Sequence, residues 1–111
     1  NNNQIPFNIK RTYWIYDVPG GEVRGGHAFR ESHELIVALS GSFNVVLHDG
    51  VKEKTYQLNR SYQGLYVPNL IWRRLENFST NSLALIVSNI EYNQQDYIRN
   101  FNDFKALKDE K

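Results

Sequence analysis

GGEVRGGHAFRESHELIVALSG, Gly20 to Gly41, holds a histidine, a carboxylate and glycines at spacings that decide the fold. Gly21 stands six positions before His27, Phe29 two after it, Glu34 five further on, and Gly41 closes the stretch seven later. A second cluster runs Pro68-Asn69-Leu70-Ile71-Trp72-Arg73 and ends at Asn77. His27 and Phe29 lie two apart on an extended run, which puts both side chains on one face. An imidazole has its ordinary pKa near neutrality, so His27 is suited to take a proton and give it back. The plainer reading is a histidine satisfied by its neighbours inside a polar cavity.

Together the two clusters resemble the paired motifs of a cupin barrel, G-x5-H-x-H-x3-4-E-x6-G followed by G-x5-P-x-G-x2-H-x3-N. Phe29 stands where the second histidine would be, and Arg73 where the last one would be. A cupin that binds metal uses three histidines and a carboxylate. A phenyl ring has no lone pair to give, and a guanidinium repels a cation. With only His27 and Glu34 left, the expectation is a barrel without metal or other cofactor, its interior given to different work.

The length of 111 residues allows one domain, 1–111, large enough to bury roughly 65% of its unfolded surface. A hydrophobic fraction of 41%, with aromatics at 14%, is that of a folded chain, and seven Tyr and six Phe favour strands. Thirteen basic against twelve acidic side chains leave a formal charge of +1, no footprint for nucleic acid or an anionic membrane. Any anionic ligand is then caught by local arginines. The absence of cysteine excludes disulfides and thiolate chemistry and fits a cytoplasmic setting. No apolar run is long enough to span a bilayer, and the opening NNNQIPFNIK lacks the pattern of a signal peptide.

In chain order, Arg11 to Tyr16 reads as a strand ending at the turn signal Asp17-Val18-Pro19-Gly20-Gly21. Tyr13 and Ile15 share one face, Trp14 and Tyr16 the other. Both faces are large and apolar, which predicts protein on both sides, a second subunit being one cover and the chain's own barrel the other. Strands follow at Glu34–Leu39, Phe43–His48, Lys52–Leu58, Gly64–Val67, Ile71–Leu75 and Leu83–Ser88, with Asp49-Gly50 closing a hairpin. Short strands at this spacing mean an all-β sandwich or barrel. The tail differs: Tyr97, Phe101 and Phe104 share a face at helical spacing, which predicts an amphipathic helix over 96–107 capped by Asp96.

Glu34 begins a strand and points inward, to orient His27, accept a substrate hydroxyl or pair with Arg73. Arg24, Arg73 and Arg74 are the anion-binding candidates, because guanidinium forks suit phosphate and carbonyl-derived oxyanions. Alternation lets only one of Arg73 and Arg74 face in, and the motif selects Arg73. Catalytic candidates are therefore His27, Arg73 and Glu34. Arg24, Phe29, Tyr66, Trp72 and Tyr13 complete the candidate substrate-binding set, Phe29 either stacking on a ligand or filling space. Neither a dinucleotide-binding glycine fingerprint nor a P-loop is present, and no serine sits in a nucleophile elbow.

Longer stretches carry a more specific likeness. RGGHA around His27, Leu39-Ser40-Gly41-Ser42 with Val45-Val46-Leu47 and Asp49-Gly50, Tyr62-Gln63-Gly64-Leu65-Tyr66-Val67-Pro68 with Trp72-Arg73, and Asp96-Tyr97-Ile98-Arg99 resemble the sugar 3,4-ketoisomerases of the WxcM-like cupin family. The resemblance runs from Arg11 to Phe104. It implies a metal-free homodimer with exchanged N-terminal strands (here about 11–16). It further implies conversion of a dTDP-linked 4-keto-6-deoxyhexose to its 3-keto isomer, for deoxy-amino-sugar and surface polysaccharide synthesis. The family's H-x-H maps its first histidine onto His27 and its second onto Phe29, which transfers no proton. Two further readings stand beside this one: a noncatalytic nucleotide-sugar-binding cupin of the same pathway, favoured by Phe29, and a metal-dependent cupin, opposed by the ligand count.

Overall fold

Short apolar, β-prone runs separated by turn residues explain most of the architecture. In the computed structural model, which describes residues 5–110, nine strands, a 3-10 turn and one helix follow one another along the chain. The strands are β1 (Arg11–Tyr16), β2 (Arg24–Phe29), β3 (Glu34–Ser40), β4 (Phe43–His48) and β5 (Glu53–Leu58), then β6 (Gly64–Val67), β7 (Trp72–Glu76), β8 (Leu83–Ser88) and β9 (Tyr97–Ile98). The helix α1 spans Phe101–Asp109. Antiparallel pairing gives two sheets, ordered β1-β8-β3-β6 and β5-β4-β7-β2-β9. The all-β cupin-like barrel with a C-terminal helix is thus present.

Inward positions of the two sheets meet in the main core, where Ile36, Ala38, Phe43, Val45, Leu58, Val67, Leu75, Ala84 and Ile86 are buried. Each large side chain among them stabilises the fold by about 1.5–3 kcal/mol. A second, smaller core lies on the outer face of the second sheet, where Ala28, Trp72 and Ile98 are covered by Phe104 of α1. The hairpin β4–β5 turns through Asp49, whose Oδ1 accepts from the N–H groups of Val51 and Lys52 at 2.8 Å, and Gly50, at φ +103°. Those two N–H groups hold the Asp49 carboxyl below its usual range.

One expectation needs correction. The helix begins at Phe101, with Asn100 as its cap accepting from the Asp103 N–H at 3.1 Å, and ends at Asp109. Asp96 does not cap it. The buried Asp96 carboxylate instead accepts from the N–H groups of Glu31 (2.8 Å) and Ser32 (3.1 Å) and from the Ser32 hydroxyl (2.5 Å). Those groups sit in the turn after β2, and this contact lets Tyr97 and Ile98 run as a strand along β2. β1 pairs with β8 of its own chain. Arg11, Tyr13 and Ile15 face the barrel, while Trp14 and Tyr16 are 52% and 64% exposed. One face of the strand is covered within the chain.

Leu70, at the position of the second motif's glycine, adopts the glycine's left-handed conformation (φ +60°) at a cost of about 1–2 kcal/mol. The neighbouring structure holds it there: its N–H donates to the Phe29 carbonyl (2.8 Å), its carbonyl accepts from Lys108 Nζ (3.1 Å), and its side chain packs on the helix-side core.

Candidate active site

A β-bulge aims the central histidine. Between the pairs Arg24↔Leu75 and His27↔Arg73, β2 advances three residues while β7 advances two. The extra residue falls at Gly25–Gly26, and Gly25 takes φ +73°. Beyond the bulge His27 and Phe29 face inward, and Ala28 faces the helix. A Cβ at Gly25 would overlap the Arg73 guanidinium, so this glycine is required by contact as well as by conformation.

Arg73 and Glu34 lie side by side in the barrel, each 1% exposed. Glu34 Oε1 accepts from Arg73 Nε (2.9 Å) and Nη2 (2.8 Å), and Glu34 Oε2 accepts from the Tyr13 hydroxyl (2.6 Å). Arg73 Nη2 also donates to Tyr13 Oη (2.8 Å), and Nη1 reaches the Gly25 carbonyl at 3.3 Å. Burial works against the charge on Arg73, but Glu34 beside it more than offsets this and raises its pKa. Burial pushes the Tyr13 phenol well above its ordinary range, Arg73 opposing and Glu34 reinforcing. Nearly all donors and both carboxylate oxygens of this triad are spent on one another. Arg73 and Glu34 therefore hold the floor of the site instead of standing open to a ligand.

His27 is the opposite case. It is 7% exposed and its Nε2 is buried with no hydrogen-bond partner among the described residues. Leaving such an atom unpaired costs about 1–3 kcal/mol. Desolvation, then the positive charges of Arg73, Arg99 and Arg11, lower its pKa from 6.5 to about 2, so the ring is neutral at working pH. Phe29 and Tyr97 pack edge-on against it, with ring centroids 4.8 and 4.9 Å away, and lie 4.7 Å from each other.

Tyr97 brings two arginines with it. Its hydroxyl accepts from Arg11 Nη1 at 2.8 Å. The Arg11 guanidinium lies 4.4 Å from the Tyr13 ring centre and 4.9 Å from that of Tyr92, and the Arg99 guanidinium 4.1 Å from that of Tyr97. Ion pairs among the described residues involve Arg24, Arg73 and Arg74 but neither Arg11 nor Arg99. Two guanidiniums without carboxylate partners thus flank a neutral, unpaired imidazole.

The structure redistributes the sequence-based candidates. His27, Phe29, Glu34, Arg73 and Tyr13 come together in the barrel. Trp72 does not: it faces outward and packs against Phe101 and Phe104. Tyr66 lies on the outer face of the first sheet, where its hydroxyl meets His33 Nδ1 at 2.6 Å. Both fall on the outward parity of their strands. Arg24 is half exposed and paired with Glu22 at 2.8 Å, and Arg74 turns outward to Glu53 and Glu76. Sequence reasoning missed Tyr97, Arg11 and Arg99. Arg11 shares the parity of Tyr13 on β1, a signal available beforehand, whereas Tyr97 was concealed by its helical spacing to Phe101 and Phe104.

Among the described residues no three His, Asp or Glu side chains gather as a metal site. A surface cleft of about 390 Å³ is lined by Leu47, Asp49, Lys52, Tyr56, Pro68 and Ile71 among others. Its charged groups are all exposed and His27 is not in its wall, so the unpaired histidine identifies the chemical centre better than this concavity does. No helix among the described residues is long and apolar enough to cross a membrane.

Known proteins resemble this chain over nearly its whole described length. TDP-4-oxo-6-deoxy-alpha-D-glucose-3,4-oxoisomerase of Aneurinibacillus thermoaerophilus is 38% identical over 104 residues, 94% of this chain and 75% of that one. A crystal structure of a 3,4-ketoisomerase from Helicobacter canadensis superposes with a TM-score of 0.92 at 37% identity, covering 95% of this chain and 79% of that one. A variant of the QdtA 3,4-ketoisomerase from Thermoanaerobacterium thermosaccharolyticum, in complex with TDP-4-keto-6-deoxyglucose, gives 0.94 at 32% identity, covering 96% and 78%. The profile of the family described as FdtA, WxcM-like, C-terminal, matches residues 1–109, and the chain belongs to that family.

Proposed function

We propose that the protein is a cytoplasmic sugar 3,4-ketoisomerase acting on a TDP-linked 4-keto-6-deoxyhexose, with His27 as the base. The observation that carries this is the buried, partnerless Nε2 of His27 beside two guanidiniums that lack carboxylate partners. An anionic ligand with an acidic C–H answers both features. The C4 carbonyl acidifies the hydrogen on C3, His27 takes that proton, and an enediolate spans C3 and C4. The C3 hydroxyl proton passes to the C4 oxygen and a proton returns to C4, leaving the ketone at C3 and a hydroxyl at C4.

Arg11 and Arg99 are suited to hold the diphosphate. Desolvation, then the charges of Arg73, Arg99 and Arg11, lower the basicity of His27, so a dianion placed beside Arg99 and Arg11 makes the histidine a stronger base when substrate is bound. Arg73, fixed by Glu34 and Tyr13, shapes the floor and keeps the Gly25 bulge in place.

The same proposal includes a homodimer formed through the outer face of the first sheet. Trp14, Leu85 and Val37 stand in one row across β1, β8 and β3, and Val87, Leu35 and Tyr66 in the next. The row spreads apolar surface of the kind that subunit interfaces cover.

His27→Asn tests the catalytic assignment. The variant is expected to bind TDP as the native protein does while 3-keto product, followed by NMR, falls by about 10²–10⁴-fold. Product formation at the native rate would remove His27 from the mechanism.

A further inference from the structure

We propose that the Tyr97 hydroxyl is the acid that delivers the proton to C4, the step for which Phe29 offers no proton. The inference rests on the ketoisomerase reading and asks which group completes it.

The chemistry needs a proton removed at C3 and one supplied at C4. His27 has a buried Nε2 with no hydrogen-bond partner among the described residues. Phe29, at the position two residues on, has no exchangeable proton. The other protic groups around it can be taken in turn. Tyr66 lies on the outside of the barrel, with its hydroxyl on His33. Glu34 accepts hydrogen bonds at both oxygens, from Arg73 and Tyr13. Tyr13 has its proton committed to Glu34 at 2.6 Å, while burial raises its pKa and makes it a poor acid.

Tyr97 differs from Tyr13 in its hydrogen bonding. It stacks edge-on against both His27 and Phe29 and is only partly buried. Its oxygen accepts a charged hydrogen bond from Arg11, and its own proton has no acceptor among the described residues. Arg11 at the oxygen and Arg99 against the ring place two guanidiniums beside this phenol. The two phenols at the pocket are thus set oppositely, one with its proton locked and one with its proton free.

The proton count closes. His27 removes the C3 proton and becomes imidazolium, and the hydroxyl proton on O3 passes to O4 within the enediolate. Tyr97 gives its hydroxyl proton to C4 as the enediolate collapses to the 3-ketone with a hydroxyl at C4. The imidazolium then returns its proton to the Tyr97 phenolate, directly or through water, and both groups are restored. No oxidant or cofactor enters. The Phe29 edge that closes the space beside His27 leaves Tyr97 as the protic wall.

The test separates the two proton steps in Tyr97→Phe, which keeps the ring and its packing and removes only the hydroxyl. With TDP-4-keto-6-deoxyglucose in deuterated water, exchange of the C3 hydrogen is expected to stay within a few-fold of the native rate. Formation of 3-keto product should fall by about 10²–10⁴-fold. Tyr97→His, which restores a protic group, should recover part of the conversion. Native conversion by Tyr97→Phe, or equal loss of exchange and conversion, would overturn the assignment to Tyr97 while leaving the ketoisomerase reading intact. A native protein that neither exchanges nor converts would overturn both. If Tyr97→Phe does not fold, the Tyr97→His variant decides alone: conversion lost in step with exchange rules out an acid dedicated to C4.

Discussion

His27 couples function to stability through a single atom. The unfolded chain protonates this histidine near pH 6.5, whereas the folded pocket holds its pKa at about 2. Between these values the unfolded state binds the extra proton, so stability falls as the pH drops below about 6.5, by about 1.4 kcal/mol per pH unit. Urea unfolding at pH 7 and pH 5 is expected to show a loss about 2 kcal/mol larger in the native protein than in His27→Asn. Parallel losses in the two proteins would contradict this. The inward aim of His27 was legible from the motif spacing, as was the choice of Arg73 over Arg74. The bulge at Gly25 was not, because four glycines between Gly20 and Gly26 leave the chain several places to bend and only the contact with Arg73 selects one. Nor does sequence disclose that Arg73, Glu34 and Tyr13 exhaust one another, since that depends on three strands meeting.

At the scale of elements, the strands were readable because short runs rich in β-branched and aromatic residues, such as β1, β3, β4, β6 and β8, are separated by turn residues. The start of the helix was misread for a physical reason. Asp96 has the composition of a helix cap, but a tertiary contact with the Glu31–Ser32 turn claims its carboxylate, and Asn100 takes over the cap. The shift of the start from 96 to 101 decides the site, because it moves Tyr97 from a helix face to a strand beside Phe29. β1 supplies the element-scale prediction. Its outward Trp14 and Tyr16 are exposed among the described residues, and Trp14 stands at the β1 end of the apolar row Trp14–Leu85–Val37. Trp14→Glu places a charge in the proposed interface and is expected to convert a dimer to a monomer in light scattering, with little change in the monomer's strand signal in circular dichroism. A dimer of unaltered mass would place the interface elsewhere.

Across the whole molecule, a net charge of +1 conceals an uneven distribution. The barrel floor is neutralised by the Arg73–Glu34 pair, while Arg11 and Arg99 leave the Tyr97 side positive and the histidine between them uncharged. Such an arrangement fits a ligand that brings its own negative charge and is then altered at carbon by proton transfer. The wild-type reaction with TDP-4-keto-6-deoxyglucose in deuterated water tests this most directly, followed by NMR against a sample without enzyme. The account predicts a 3-keto sugar carrying deuterium at C4. A substrate that remains unconverted, with no deuterium at C3, in a protein that still binds TDP would contradict it.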